Sequence, residues 1–399
     1  MPNPFTPGFG TPPKVLWGRE DTLRQIDRTS TAFGSSSPAH SRATIITGNR
    51  GIGKTTLLTA TARRAEALGI PVLRAGAKKG FLNDIHYAAD WLVDELDRKP
   101  TLTLSEINLG LTAFGVGIPG GKLTRRSRAA DGHTRPFRAS LQTLVERLVK
   151  RGMPGLLIVI DELNFKHARD LTLEHIVTFS GAYQSLIEDQ LPVGVVVSGL
   201  PIPIERARRN EHITFLRRAD EITLAEFTYR ESRQVIRATL TAADVSAGED
   251  AVDLMAALSL GNSYMIQEIG YLAYEQSDTL RMTRDDVEAV RAAFLMKVIN
   301  SVAGVAYDEL TAKQQLIIRN IAEQPEITPR ELAAVLGTKE TGLPAYRKDL
   351  VDSGILIADP SVRGRFIIGF PYMREYALGL AEEQGVEGAY ERVTGFPKL

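Results

Sequence analysis

Cysteine is absent from all 399 residues, which excludes disulfides, thiolate metal sites and cysteine nucleophiles. Histidine is scarce. The six histidines, His40, His86, His133, His167, His175 and His212, show no metal-ligand spacing and no pairing with a serine nucleophile. Most of them read as surface or loop residues. Charge of one sign is missing too: 48 Lys and Arg balance 48 Asp and Glu. No global field draws the chain to nucleic acid or membrane, so any such surface is local. No uninterrupted apolar run approaches the ~18–20 residues of a membrane span. The Pro/Gly-rich start, Met-Pro-Asn-Pro-Phe-Thr-Pro-Gly-Phe-Gly-Thr-Pro-Pro, lacks the charged and apolar regions of a signal peptide. It reads as an extended arm over residues 1–14. A reducing, cytoplasmic setting with no membrane partner is the expectation. What is present is ordinary for a globular protein, 43% hydrophobic and 24% charged, in a chain long enough for two or three domains.

The chain is organised around Ala-Thr-Ile-Ile-Thr-Gly-Asn-Arg-Gly-Ile-Gly-Lys-Thr-Thr-Leu, residues 43–57. This is a short apolar strand, a glycine-rich turn and the first turn of a helix. Gly48, Gly53, Lys54 and Thr55 meet the P-loop spacing G-x-x-x-x-G-K-[ST] in the strand-to-helix context that the motif needs. Glycines let consecutive N–H groups, here from Asn49, Arg50, Gly51, Ile52 and Gly53 through Thr56, curl round a phosphate. The helix N-terminus adds a favourable dipole. Lys54 is expected on the β/γ-phosphates of ATP, and the Thr55 hydroxyl on Mg²⁺.

Strand and helix then alternate. A helix over 54–67 is closed by Gly69, a strand lies at 71–74, and a helix at 83–97. Residues 107–118 alternate apolar with small or polar residues before Pro119-Gly120-Gly121, the pattern of an inserted β-hairpin. A basic run follows, Lys122, Arg125, Arg126, Arg128, Arg135 and Arg138. It reads either as a solvated loop or as an anion-binding or protein-partner surface within the 105–138 insertion. A helix at 136–151 leads to Leu-Leu-Ile-Val-Ile-Asp-Glu at 156–162, a buried parallel strand ending in two carboxylates. A helix at 171–189, a buried strand at 193–199 and a short strand at 222–224 complete a parallel sheet. Asp161 is expected to hold Mg²⁺ through water, and Glu162 to orient and deprotonate the attacking water. Ser198 either senses the γ-phosphate or simply opens the loop before Gly199. Arg217 and Arg218 are surface arginines, or one of the two is a finger acting in trans on a neighbour's nucleotide in a homo-oligomer, Arg218 in the resemblance given below.

From about residue 228 strands are expected to stop. Helices follow at 264–275 and 283–298. Three more, at 311–323, from 328 and at 339–352, precede strands at 355–358 and 365–368. Three helices and a hairpin form the pattern of a winged helix. Lys339, Thr341, Tyr346, Arg347 and Lys348 on its third helix and Arg363 and Arg365 on the wing would meet double-stranded DNA. From Asp308 onward, however, 11 Lys/Arg stand against 14 Asp/Glu, a net of −3, unlike the basic footprint of a DNA binder.

These residues resemble an AAA+ P-loop ATPase of the origin-recognition-like, archaeal-type group, which grades into the STAND signalling NTPases. The resemblance spans about residues 15–380. It implies an α/β P-loop NTPase fold with a parallel five-stranded sheet at 15–227, interrupted by an insertion at about 102–138. A helical lid at 228–306, a winged helix at 307–385 and a tail at 386–399 would follow. Leu-Trp-Gly-Arg-Glu at 16–20 is similar to the family's N-terminal box, which implies that Trp17, Gly18 and Arg19 line the adenine pocket. Ser198 falls at sensor 1. Gly-Asn-Ser-Tyr at 261–264 matches the lid motif, with Tyr264 where rapid enzymes commonly carry an arginine. The resemblance therefore implies ATP/ADP and Mg²⁺ as cofactors and slow hydrolysis in a switch or loader. A STAND-like regulator with protein partners is the alternative, and a small-molecule kinase finds no acceptor pocket in the pattern.

Overall fold

The computed structural model describes residues 2–8, 13, 16–31, 43–77, 80–99, 101, 103, 104, 106, 107, 135–163, 171–277, 281–359 and 362–379. Nearly all of the expected hairpin and the basic residues Lys122, Arg125, Arg126 and Arg128 lie outside them, as do His40, His133 and His167. The chain forms two units. A sheet unit comprises residues 19–48 and 54–224, and a helical unit comprises 1–18, 49–53 and 225–399.

In the sheet unit, α1 (Glu20–Thr31) precedes β1 (Ala43–Gly48), α2 (Lys54–Ala67), β2 (Val72–Gly76) and α3 (Phe81–Arg98). Then come α4 (Phe137–Lys150), β3 (Leu156–Leu163), α5 (Leu171–Glu188), β4 (Val193–Gly199), α6 (Pro201–Arg209), α7 (Thr214–Arg218) and β5 (Asp220–Leu224). The five strands are ordered β2-β3-β4-β1-β5, and every pair is parallel. Runs such as Leu156–Ile160 and Val193–Val197 are buried throughout because helices cover both faces of a parallel sheet. Helices α3 and α4 bring Ile85, Leu92, Leu96, Leu144 and Leu148 into that core, each fully buried. Each such side chain contributes about 1.5–3 kcal/mol. Parallel pairing places the C-terminal ends of β1, β3 and β4 on one edge, where ligands bind in such sheets.

In the helical unit, α8 (Tyr229–Thr241), α9 (Glu249–Ser259) and α10 (Ser263–Gln276) lead to α11 (Arg284–Val298). Strands do not stop entirely in this part of the chain. Ser246–Ala247 and Arg281–Met282 form a two-residue parallel ladder, β6 and β7, too short for any hydrophobic period to announce. Helix α11 continues through a π-helical turn, Ile299–Gly304, into α12 (Val305–Asp308). By length and composition the stretch Arg284–Asp308 could cross a membrane, yet half of its apolar window is buried within the protein, with Val287, Phe294, Val298 and Ile299 in the core of this unit.

The N-terminal arm joins the same core. Phe5 is 1% exposed, and Asn3 and Thr6 bond to Tyr271, Glu275 and Gln267 of α10. Gly270 permits the approach, since a Cβ there would lie 2.5 Å from the Phe5 ring.

The C-terminal part consists of α13 (Ala312–Glu323), α14 (Pro329–Val335) and α15 (Leu343–Asp352), then the antiparallel strands β8 (Leu356–Ala358) and β9 (Phe366–Ile368), and α16 (Met373–Ala377). Thr311 and Thr328 cap α13 and α14 through full capping boxes. The helix expected over 339–352 begins instead as a 3-10 turn, Glu340–Gly342. Proline at the start of α15 has no N–H to give and breaks the continuity.

Glu375 on α16 is 3% exposed. Burial raises its pKa, partly offset by a bond to its own backbone and by Arg374. A carboxyl raised in the folded state stabilises in its protonated form below its ordinary value. That contribution is lost as pH climbs through the raised value. Glu375→Gln, which mimics the neutral form, is therefore expected to gain melting temperature over the parent chain progressively as the pH rises above the ordinary carboxyl value. A pH-independent difference in thermal melts contradicts this.

Candidate nucleotide site

The glycine-rich loop Asn49–Gly53 leaves β1 and returns as α2. Gly51 and Gly53 have φ of +74° and +95°, a region other residues enter only with strain. The loop belongs to the helical unit, and its bonds there are numerous. Asn262 Nδ2 donates to the Arg50 carbonyl at 3.0 Å, the Tyr264 N–H to the Gly51 carbonyl at 2.9 Å, and Ser263 Oγ to the Ile52 carbonyl at 3.1 Å. Asn49 Nδ2 donates to Glu226 Oε1 at 2.9 Å, and Arg50 pairs with Glu309. None of these partners was singled out from the sequence as a contact of the loop. Asn262 and Ser263 were visible there only as the opening of a lid motif.

In the sheet unit, Lys54 and Thr55 begin α2, followed by Thr56. Lys54 Nζ donates to the Gly48 carbonyl at 2.8 Å, so the ammonium braces the mouth of its own loop.

The end of β3 is irregular. Ile160 pairs with Val197 and Leu163 with Gly199, so Asp161 and Glu162 together face Ser198 alone. This is a bulge, one residue too many on β3. Glu162 takes φ +57°, costing about 1 kcal/mol for a residue with a Cβ. The backbone N–H of Glu162 donates to Asp161 Oδ1 at 2.9 Å and to Ser198 Oγ at 3.4 Å. The Ser198 hydroxyl in turn donates to Asp161 Oδ1. Ser198 is fully buried, Asp161 partly so, and Glu162 is exposed. The bulge thus brings Asp161, Glu162 and Ser198 into one bonded group, with its strain at Glu162. Parallel strands spaced about 4.8 Å apart set β3 about 10 Å from β1 across β4. A phosphate, a metal ion and a water fit that span.

Both bonds to Asp161 fall on Oδ1. Its donor set with the Thr55 hydroxyl is oxygen only, and no cluster of three or more His, Asp or Glu suited to a metal occurs among the described residues. That suits Mg²⁺, which keeps its waters and is bound through one or two carboxylates plus substrate phosphates.

The remaining candidates are dispersed. Trp17 packs half-buried on the core of the helical unit, and Gly18 lies against Phe227, while Arg19 falls in the sheet unit. Tyr264 is half-buried. Burial, then the charge of Glu268, raises its hydroxyl pKa. Glu268 is itself fully buried and paired with Lys297 at 2.6 Å. Arg217 donates to the carbonyls of Arg208 and Asn210 at 3.2 and 2.9 Å, which ties it to its own unit. Arg218 stays exposed.

Not every histidine is peripheral. His86 is 7% exposed and bonds to Ser140 Oγ and the Arg135 carbonyl, each at 3.0 Å. Arg135 also pairs with Asp90 and Asp94, and Arg138 with Asp189. Those two arginines of the basic run serve the fold.

Residues 15–196 match the family model described as AAA ATPase domain. No curated protein matches the sequence. Among solved structures, the chain is similar to a Walker-type ATPase of Pyrococcus abyssi, with 18% identity over 91% of this chain and 96% of that one, TM-score 0.59. It is also similar to the ORC2 protein of Aeropyrum pernix, solved as ADPNP–ADP complexes, with 16% identity over 94% and 96% of the two chains, TM-score 0.62. At these identities the likeness concerns the fold, a five-stranded parallel sheet with flanking helices.

Proposed function

We propose that this chain, whose residues 15–196 match the AAA ATPase domain model, is a slow ATPase in which nucleotide state works as a switch. The observation that carries the reading is the bonded group of Asp161, Glu162 and Ser198 at the C-terminal edge of a sheet whose interior strand β1 ends in the P-loop. In this reading the N–H groups of residues 49–56 and the Lys54 ammonium hold the triphosphate. Thr55 and Asp161 hold Mg²⁺, which when bound neutralises charge on the phosphates. Glu162 takes the proton of the attacking water, and Ser198 fixes the Asp161 carboxylate. Trp17, Gly18 and Arg19 line the base, and Arg218 acts on a neighbour's nucleotide. Turnover is slow because the sensor position holds Tyr264. Burial and the charge of Glu268 raise its hydroxyl pKa, so the hydroxyl stays neutral and stabilises little developing charge.

The partner read by the switch is better sought among proteins than on DNA. Read as a winged helix, the C-terminal part has spent several of its candidate DNA contacts internally. Arg365 pairs with Asp359 at 2.6 Å and Arg347 stacks on Phe366 at 4.6 Å. Tyr346 takes Lys313 at 3.0 Å. The DNA reading rests on the exposed Lys339, Thr341, Lys348 and Arg363. In a mobility shift with generic duplex DNA and Mg-ATP, no salt-sensitive complex is expected. A complex whose affinity falls steeply between 50 and 200 mM salt, roughly tenfold or more, establishes DNA contact instead.

A further inference from the structure

We propose that Asn262 is a positioning residue that presets the phosphate donors of the P-loop from the back of their own peptide groups. The proposal rests on the nucleotide reading above and adds to it the element that holds the loop in its binding shape. In a trans peptide the C=O and N–H point in opposite directions. The carbonyls of Arg50, Gly51 and Ile52 belong to the same peptide groups as the N–H of Gly51, Ile52 and Gly53. All three carbonyls are taken by the N-cap and first two residues of α10, from Asn262 Nδ2, the Tyr264 N–H and Ser263 Oγ. Fixing three consecutive carbonyls on one side fixes three consecutive N–H groups on the other. That is the array a phosphate needs.

Asn262 is the keystone of this arrangement. Its Oδ1 accepts from the N–H groups of Tyr264 and Met265 at 3.1 and 3.3 Å, capping α10, while its Nδ2 holds the loop. At 1% exposure no water replaces either bond without a desolvation cost. Gly51 is fitted to it: a Cβ there would stand 2.7 Å from Asn262 Oδ1. The coupling is reciprocal. A phosphate on the N–H face polarises each peptide and strengthens its carbonyl as an acceptor. The start of α10 thereby registers occupancy through the backbone, without any side chain touching the γ-phosphate.

Capping and positioning are separable. Serine caps a helix about as well as asparagine, carries no charge and is too short to reach the Arg50 carbonyl. Asn262→Ser, compared with Asn262→Ala, is read by calorimetric titration with Mg-ATP and with Mg-ADP and by melting temperature without nucleotide. The expectation for Asn262→Ser is a melting temperature close to the parent's and a Kd for both nucleotides raised about tenfold, equivalent to about 1.4 kcal/mol. KM should rise in step and kcat should fall less. Asn262→Ala loses melting temperature as well. Parental affinity in Asn262→Ser, or a loss of affinity only where stability is lost, overturns the positioning role while leaving the site intact. A parent chain that binds neither nucleotide overturns the site and the proposal together.

Discussion

Glu162→Gln is expected to bind Mg-ATP as the parent chain does and to hydrolyse it about 10²–10⁴-fold more slowly, the span of a lost general base. The substitution is nearly isosteric. It leaves intact the backbone N–H bonds of residue 162 to Asp161 and Ser198. The positive φ at this position is strained alike for both side chains, so the bulge survives. What changes is the basicity of one exposed carboxylate. Single-turnover phosphate release at saturating Mg-ATP checks it. Undiminished turnover with unchanged binding removes Glu162 from the chemistry and leaves Asp161 as the only carboxylate of the group.

Lys54→Ala is expected to lose ATP altogether in the micromolar range. An ammonium donating to two phosphate oxygens forms charge-assisted bonds worth about 1.5–3 kcal/mol each, so affinity falls by roughly two to four powers of ten. The fold loses less. The Lys54 Nζ bond to the Gly48 carbonyl is worth about 1 kcal/mol. Calorimetry should therefore show abolished binding beside a small change in melting temperature. An ATP affinity equal to the parent's places the triphosphate elsewhere.

Much of this arrangement was legible in the sequence because its signals are local. Continuous apolar runs at 156–160 and 193–197 could only be buried parallel strands, and Gly69, at φ +81°, ended α2 where a left-handed residue was needed. The Asp-Glu pair at 161–162 marked the C-terminal end of β3. The bulge beneath that pair was not legible. An inserted residue shows in a period-two pattern only when it shifts an apolar position, and here both residues are polar. Nor was the role of Asn262. A cap explains an asparagine at that position completely, and its bond to the Arg50 carbonyl, 212 residues away, leaves no trace in spacing. The pairings that occupy Arg347, Arg365 and Arg135 are likewise non-local. A basic residue on a candidate surface looks the same in sequence whether its guanidinium meets solvent or an aromatic ring of the same fold.

The central claim, that this chain holds ATP on the P-loop and hydrolyses it through Glu162, is tested most directly by the nucleotide each protein retains. Parent chain, Glu162→Gln and Lys54→Ala are incubated with Mg-ATP and desalted, and the bound nucleotide is released in acid and separated. The account predicts ADP from the parent chain, ATP from Glu162→Gln and nothing from Lys54→Ala. ADP from Glu162→Gln in the parental amount, or nucleotide of either kind retained by Lys54→Ala, contradicts it.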